Sequence, residues 1–214
     1  MSPTANFDPV ARMYRWAEYL TLGPLLQRTR THFLPQLTDR RHALVLGDGD
    51  GRFLAKLLIQ NPALHATAVD TSEQMLKLLR IRCDPTRVET IQADALTITA
   101  PPGTDLIVTH FFLDCFTQQE INNLALRLVQ PGILWLLSDF RAEGSLARAY
   151  VRSLYFAFRI LTGLRITHLP NPAAALTAAG FHRIAHHHSL GGILYTELWQ
   201  CQSFPHSSKL TTHT

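Results

Sequence analysis

Three glycines alternate with two aspartates in Gly47-Asp48-Gly49-Asp50-Gly51, directly after the apolar run Ala43-Leu44-Val45-Leu46. A glycine turn lets the backbone bend sharply and approach a ligand with no Cβ in the way. A helix starting beyond it offers free N–H groups. The spacing is GxGxG, and Arg52 stands where the dinucleotide fingerprint GxGxxG requires its third glycine. Two carboxylates in such a loop repel a pyrophosphate and favour a ligand that carries positive charge.

Two further acids follow at regular stations. Asp70 closes the run Ala66-Thr67-Ala68-Val69, and a carboxylate there can accept both hydroxyls of a ribose. Asp94-Ala95 follows the next apolar segment, in position to meet an adenine amino group. Either aspartate alone is more often a turn-former or helix cap than a ligand. Three acidic stations in order, each after an apolar run, point to a nucleoside-bearing ligand. His110 ends the run Leu106-Ile107-Val108-Thr109, and Asp114 is the nearest acid that would orient it as a base. The plainer alternative is that His110 only lines the pocket.

These residues need a frame, and the pattern supplies one. Short apolar runs at 43–46, 65–69, 87–91, 105–109 and 133–138 alternate with helical stretches at 51–60, 72–82 and 118–129. That alternation is the mark of βα units around a parallel sheet. Ser72 is a good N-cap, Pro131-Gly132 a good stop, and Asn171-Pro172 opens another helix that Gly180 ends. The segments 181–188 and 193–201 read as strands joined across Gly191-Gly192, a hairpin. Residues 7–37 read as helical, broken at Gly23-Pro24 and Pro35. The reading is one α/β domain over 41–202, with a helical N-terminal cap over 1–40 and a disordered tail over 203–214.

The bulk numbers agree. The 214 residues suffice to bury a full core, and 46% of them are hydrophobic. A net charge of +4, with lysine only at 56, 77 and 209, is mildly basic and arginine-rich. No basic run with interleaved aromatics accompanies it, so nucleic acid is not an expected partner. Cys83, Cys115 and Cys201 are odd in number and far apart, which argues against a disulfide framework and for a reducing compartment. Residues 1–20 contain Arg12, Arg15 and Glu18 and so lack the apolar core of a signal peptide. The expected location is cytoplasmic.

On these motifs the sequence resembles the class I S-adenosylmethionine (SAM)-dependent methyltransferases, from about Ala43 to Cys201. Val45-Leu46-Gly47-Asp48-Gly49-Asp50-Gly51-Arg52-Phe53 is similar to their first motif, and Ala68-Val69-Asp70-Thr71-Ser72-Glu73-Gln74-Met75-Leu76 to their second, where the acid binds ribose. Gln92-Ala93-Asp94-Ala95 resembles the third, where the acid meets adenine. Asp105 to Phe112 resembles the fourth strand and its functional edge; Leu128 to Leu134 and Ala175 to Phe181 match the runs into strands five and six. The segment Phe7 to Tyr14 is similar, over a short stretch, to the start of quinone-biosynthesis C-methyltransferases. The resemblance implies a Rossmann-like fold with a mostly parallel seven-stranded sheet and a terminal antiparallel hairpin. It also implies SAM as methyl donor, S-adenosylhomocysteine (SAH) as product, and cofactor contacts from Gly47, Asp48, Gly49, Asp70, Thr71, Met75, Asp94, Ala95 and His110. Two departures stand out. Val45 occupies the place of the family's usual acid for the SAM ammonium, which leaves Asp48 as the candidate substitute. Thr109-His110-Phe111-Phe112 replaces the (D/N)PP(Y/F) motif of the amino-group enzymes acting on DNA bases and glutamine.

The acceptor side is read from aromatic and basic residues. Arg148, Arg152 and Arg159 share one helical face of 145–162, opposite Leu146, Tyr150, Leu154, Phe158 and Leu161. Such a helix suits a membrane surface, but a helix packed on its own domain with a solvated arginine face is commoner. Placed after strand five, it would roof an apolar pocket with Tyr14, Trp16, Phe111 and Tyr150, which implies a small apolar or aromatic methyl acceptor. His182, His186, His187 and His188 suggest metal, yet strand alternation splits them between faces and leaves no third ligand. Two other classes compete with the enzyme reading: a SAM- or SAH-binding accessory protein without turnover, and, disfavoured by spacing and loop charge, an NAD-dependent oxidoreductase.

Overall fold

The run His42–Leu46 (β1) is apolar after its first residue, so both of its faces must be covered, which is the signature of a central parallel strand. A computed structural model of the chain describes residues 23–141 and 170–202. Its elements are α1 (Gly23–Thr31), β1, α2 (Arg52–Gln60), β2 (His65–Asp70), α3 (Glu73–Arg82), β3 (Val88–Gln92), β4 (Leu106–His110), α4 (Gln118–Leu128), β5 (Leu134–Phe140), α5 (Pro172–Ala178), β6 (Phe181–Ser189) and β7 (Leu194–Cys201). The seven strands form one sheet in the order β3-β2-β1-β4-β5-β7-β6. Strands β1 to β5 run parallel, while β7 is antiparallel to both β5 and β6. This is the expected Rossmann-like sheet with its terminal hairpin.

Strand alternation divides the core. Leu44, Leu46, Ile107, Trp135 and Leu137 face one side, where Ile121, Leu124 and Leu128 of α4 and Leu176 of α5 cover them. Ala43, Val45, Leu106, Val108 and Leu136 face the other, beneath Phe53, Leu54, Leu57 and Leu58 of α2 and Leu79 of α3. Caps fix where the helices begin. Ser72 accepts the Met75 N–H, and Thr117 and Glu120 form a reciprocal capping box at the start of α4, each cap worth about 1 kcal/mol. The two prolines read as breaks in the first helical stretch stand in the first turns of elements. Pro24 is the second residue of α1 and Pro35 opens the single turn Leu34–Leu37, positions where a missing N–H costs nothing.

One buried charge pins the hairpin. Glu197 on β7 is 0% exposed. Its Oε1 accepts from Arg183 at 2.7 Å and its Oε2 from the Trp199 indole at 2.9 Å, with Arg141 3.7 Å away. An uncompensated carboxylate there would cost several kcal/mol. On the neighbouring β6, His186 and His188 lie on one face with their ring centroids 5.4 Å apart, and His187 turns the other way to stack on His32 at 3.7 Å.

Residues 1–22, 142–169 and 203–214 lie outside the described part. With them go Tyr14, Trp16, Tyr150, the helix expected over 145–162, most of the expected cap and the tail. Among the described residues no helix is long and apolar enough to cross a membrane.

Candidate active site

The strand order reverses between β1 and β4, and a crevice opens outside the carboxyl ends of the strands at such a point. Gly47 follows β1, Asp70 ends β2, Asp94 follows β3, His110 ends β4 and Asp139 is the last residue but one of β5. Five strand ends therefore bring to one edge residues that are up to ninety-two positions apart in the chain.

The glycine loop has two different reasons for its glycines. Gly47 has φ +67°, and a side chain on it would overlap the ring of Phe112. Its N–H donates to Val69 O at 3.0 Å, tying the loop to the end of β2. Gly49 has φ +59° and faces open space, so it is here that the loop leaves room for a ligand. Asp48 turns inward. Its Oδ2 accepts the Leu54 N–H of α2 at 3.0 Å, and burial pushes its carboxyl up to about 7 against the pull of that N–H and of Arg30. Asp50 is ion-paired with Arg52 at 3.0 Å and Arg82 at 2.8 Å. The loop is thus less negative than its sequence implies, and repulsion of a pyrophosphate rests on Asp48 alone.

The second and third acids are both turn-formers at the edge. Asp70 Oδ1 accepts the Ser72 N–H at 2.9 Å, and Asp94 Oδ1 accepts the Leu96 N–H at 2.9 Å to open the turn Ala95–Thr97. The Ala93 N–H bonds Asp70 O at 3.1 Å, which holds the two segments side by side. Thr71 is exposed and its carbonyl accepts from Gln92 at 3.1 Å; Met75 is half-buried and Ala95 buried.

His110 is 3% exposed, and neither ring nitrogen has a hydrogen-bond partner. Its ring meets Phe53 edge-on with centroids 4.3 Å apart. Burial, and then the charge of Arg30, hold its pKa well below the ordinary value, so it is neutral. Asp114 does not orient it. That acid lies in the turn Leu113–Cys115, where it accepts from Cys115 Sγ at 3.5 Å, and its charge acts on Asp139. Phe111, the described member of the expected acceptor-side aromatics, has φ +51° and packs on Phe140 at 5.0 Å beside Leu26 and Leu194.

Arg30 and Asp139 at this edge carry no mark in the sequence, and Phe53 and Phe112 appear there only as members of motifs, with no role assigned. Arg30 reaches in from α1, 5.1 Å over the Phe111 ring, and its charge acts on both Asp48 and His110. No motif marks it, because only packing brings α1 to the strand ends.

Residues 43–132 match the sequence model of a family described as a methyltransferase domain. The chain matches none of the curated proteins it is compared with. Among solved structures it is similar to SibL, an S-adenosylmethionine-dependent methyltransferase in its apo form, at 22% identity and TM-score 0.64 over 90% of this chain and 57% of that one. It is similar also to the N-methyltransferase NodS from Bradyrhizobium japonicum WM9, at 15% identity and TM-score 0.60, covering 83% of this chain and 97% of NodS. Human N-acetylserotonin methyltransferase in complex with SAM gives 17% identity and TM-score 0.60 over 87% of this chain and 58% of the human one. The chain spans less than two thirds of the length of SibL and of the human protein. At these identities the likeness speaks for the fold.

Proposed function

We propose that this chain, residues 43–132 of which match a methyltransferase-domain family, is a class I SAM-dependent methyltransferase that transfers a methyl group from SAM to a small-molecule acceptor. One observation carries the reading: the open Gly49 turn, Asp70 and Asp94 stand on consecutive strand ends beside the reversal of strand order. The residues present fit the cofactor. Asp70 would hold the ribose hydroxyls and Asp94 with Ala95 the adenine edge, with Thr71 and Met75 flanking them. Asp48, with Arg30 acting on it, would meet the amino-acid end. His110 presents two buried nitrogens that have no protein partner and so suit a ligand atom.

SAM supplies an electrophilic methyl group on a sulfonium. What the chain itself must do is align the acceptor and exclude water, which accounts for most of the rate in such a displacement. The neutral imidazole of His110 would take the acceptor's proton, a role typically worth 10²–10⁴-fold. A neutral base also suits a site beside a positive sulfonium, where a second positive charge is disfavoured. The wall made by Leu26, Phe111, Phe140 and Leu194 favours an acceptor with apolar or aromatic surface.

Calorimetric titration with SAM, SAH and NAD tests the reading. Binding of SAM and SAH without NAD is expected. NAD binding in their place would overturn it, and SAH binding without methyl transfer to any acceptor in a small-molecule screen would favour an accessory protein.

A further inference from the structure

We propose that α1 is a pH-sensitive flap: the stack of His32 on His187 holds it against β6, and acidification lets it lift from the carboxyl edge of the sheet. The docking is a property of the fold alone. Only the reading of the wall beneath α1 as the acceptor side rests on the methyltransferase function.

α1 packs on α2, β6 and β7, but its apolar hold is small. Of its apolar side chains only Leu26 is buried, against Phe111 and Leu194, with Leu25 and Phe140 beside them. α2, of the same length, buries Phe53, Leu54, Leu57 and Leu58. Elements with few buried apolar contacts are the ones that open locally. Just past the end of α1, Phe33 and then Leu37 belong to the large core beneath α2, so the chain is anchored there and α1 can hinge from it. Two side-chain pairs fasten α1 to β6. Thr29 Oγ1 and Ser189 Oγ share a hydrogen bond of 2.9 Å, and the rings of His32 and His187 stack with centroids 3.7 Å apart and planes at 10°. Thr29 and His32 are neighbours on one flank of the helix, and His187 and Ser189 share one face of the strand.

The stacked rings have no acid to balance them. The other ring against His32 is Phe33, edge-on at 4.7 Å. Across β7 the register partner of His187 is the uncharged Thr196, and the charged residue one turn back from His32 on α1 is the exposed Arg28. Burial, then the charge of His187, hold the His32 pKa below its ordinary value, and no described carboxylate acts on it. A first proton leaves a cation stacked on a neutral ring. A second sets like charges 3.7 Å apart and is resisted. Once α1 is undocked, both rings take protons below about pH 6.5. The undocked state therefore binds more protons on the acid side, so docking is full above that pH and weakens as the pH falls through it.

Lifting α1 would take Leu26 off Phe111 and Arg30 from above its ring, which opens the wall assigned to the acceptor. Arg30 also acts on two other titrating groups, Asp48 and His110. Release of Asp48 from burial would lower its pKa and favour lifting at high pH, the opposite sign. Release of His110 would favour lifting at low pH, so the test must separate it from the stacked pair.

Hydrogen exchange on the full chain at about pH 7.5 and about pH 5.5, corrected for the intrinsic pH dependence of exchange, reads the amides of residues 27–31 against those of α4. A nine-residue helix does not keep its hydrogen bonds once undocked, so lifting appears as lost protection. On acidification wild-type α1 should lose about three- to tenfold in protection, with α4 changing by less than about twofold. His187→Phe and His32→Phe each keep a ring in the stack and remove the second charge. In either variant the α1 loss should shrink to within about twofold. Equal α1 protection at the two pH values in wild type, or an equal loss in α4, would overturn the proposal. So would an undiminished loss in either variant, which would assign the effect to His110; if one variant does not fold, the other decides.

Discussion

Asp48 accepts the backbone N–H of Leu54 at 3.0 Å, so the acid inside the glycine loop is anchored to the first turn of α2 rather than turned out to solvent. Burial raises its carboxyl from 3.8 to about 7. A folded pKa above the unfolded one means that the folded state binds the extra proton. Stability is then full below the unfolded value and falls as the pH rises through about 7. Asp48→Asn keeps an acceptor for Leu54 and removes the titration. Its melting temperature relative to wild type should therefore be higher at about pH 8 than at about pH 5. An offset independent of pH would show that Asp48 does not titrate in this range.

The same acid gives a binding prediction of opposite sign. The SAM ammonium favours ionised Asp48, so wild-type affinity for SAM should strengthen between about pH 6 and pH 8. In Asp48→Asn that slope should flatten, and the variant should lose more affinity for SAM than for a des-amino analogue. Equal losses for the two ligands would remove Asp48 from the ammonium.

Asp70→Ala should weaken SAM binding by about 1.5–3 kcal/mol, because ribose hydroxyls lose a charged acceptor. The substitution also releases the Ser72 N–H, so Asp70→Asn is the control that can keep that turn. SAM affinity unchanged in both variants would take Asp70 out of the site.

His110→Ala should lower turnover by about 10²–10⁴-fold with SAM affinity nearly intact, and His110→Gln should not restore it. Because the imidazole is already neutral, the wild-type rate profile should show no loss of activity from its protonation above about pH 6. Weakened SAM binding with unchanged turnover at saturation would make His110 a lining residue.

Gly47→Ala combines a left-handed backbone with overlap on the Phe112 ring, so it should destabilise the fold by more than the roughly 1–2 kcal/mol of the backbone alone. Adding Phe112→Ala should recover the steric share and not the backbone share. Strict additivity of the two substitutions in thermal unfolding would show that the ring is not what Gly47 accommodates.

The strands were legible because period and length are local properties. Each parallel strand is an apolar run bounded by turn residues, and the expected ranges match the observed ones to within two residues at each end. The places of Asp70, Asp94 and His110 were legible for the same reason: a residue that ends or follows a parallel strand lies at the carboxyl edge of the sheet wherever that strand sits in it. Partners across the fold were not legible. The sequence paired Asp114 with His110 on nearness in the chain, yet His110 falls on the α2 face with Leu106 and Val108, while Asp114 is brought to Asp139 where two different strands end. It counted Asp50 as loop charge, though Arg82, thirty-two residues on, neutralises it together with Arg52. It offered no sign of Arg30, because α1 reaches the strand ends only through packing. Spacing along the chain determined which residues reach the edge; the tertiary structure alone decided which charges meet there, because burial and partners set a carboxylate's ionisation and both come from distant parts of the chain.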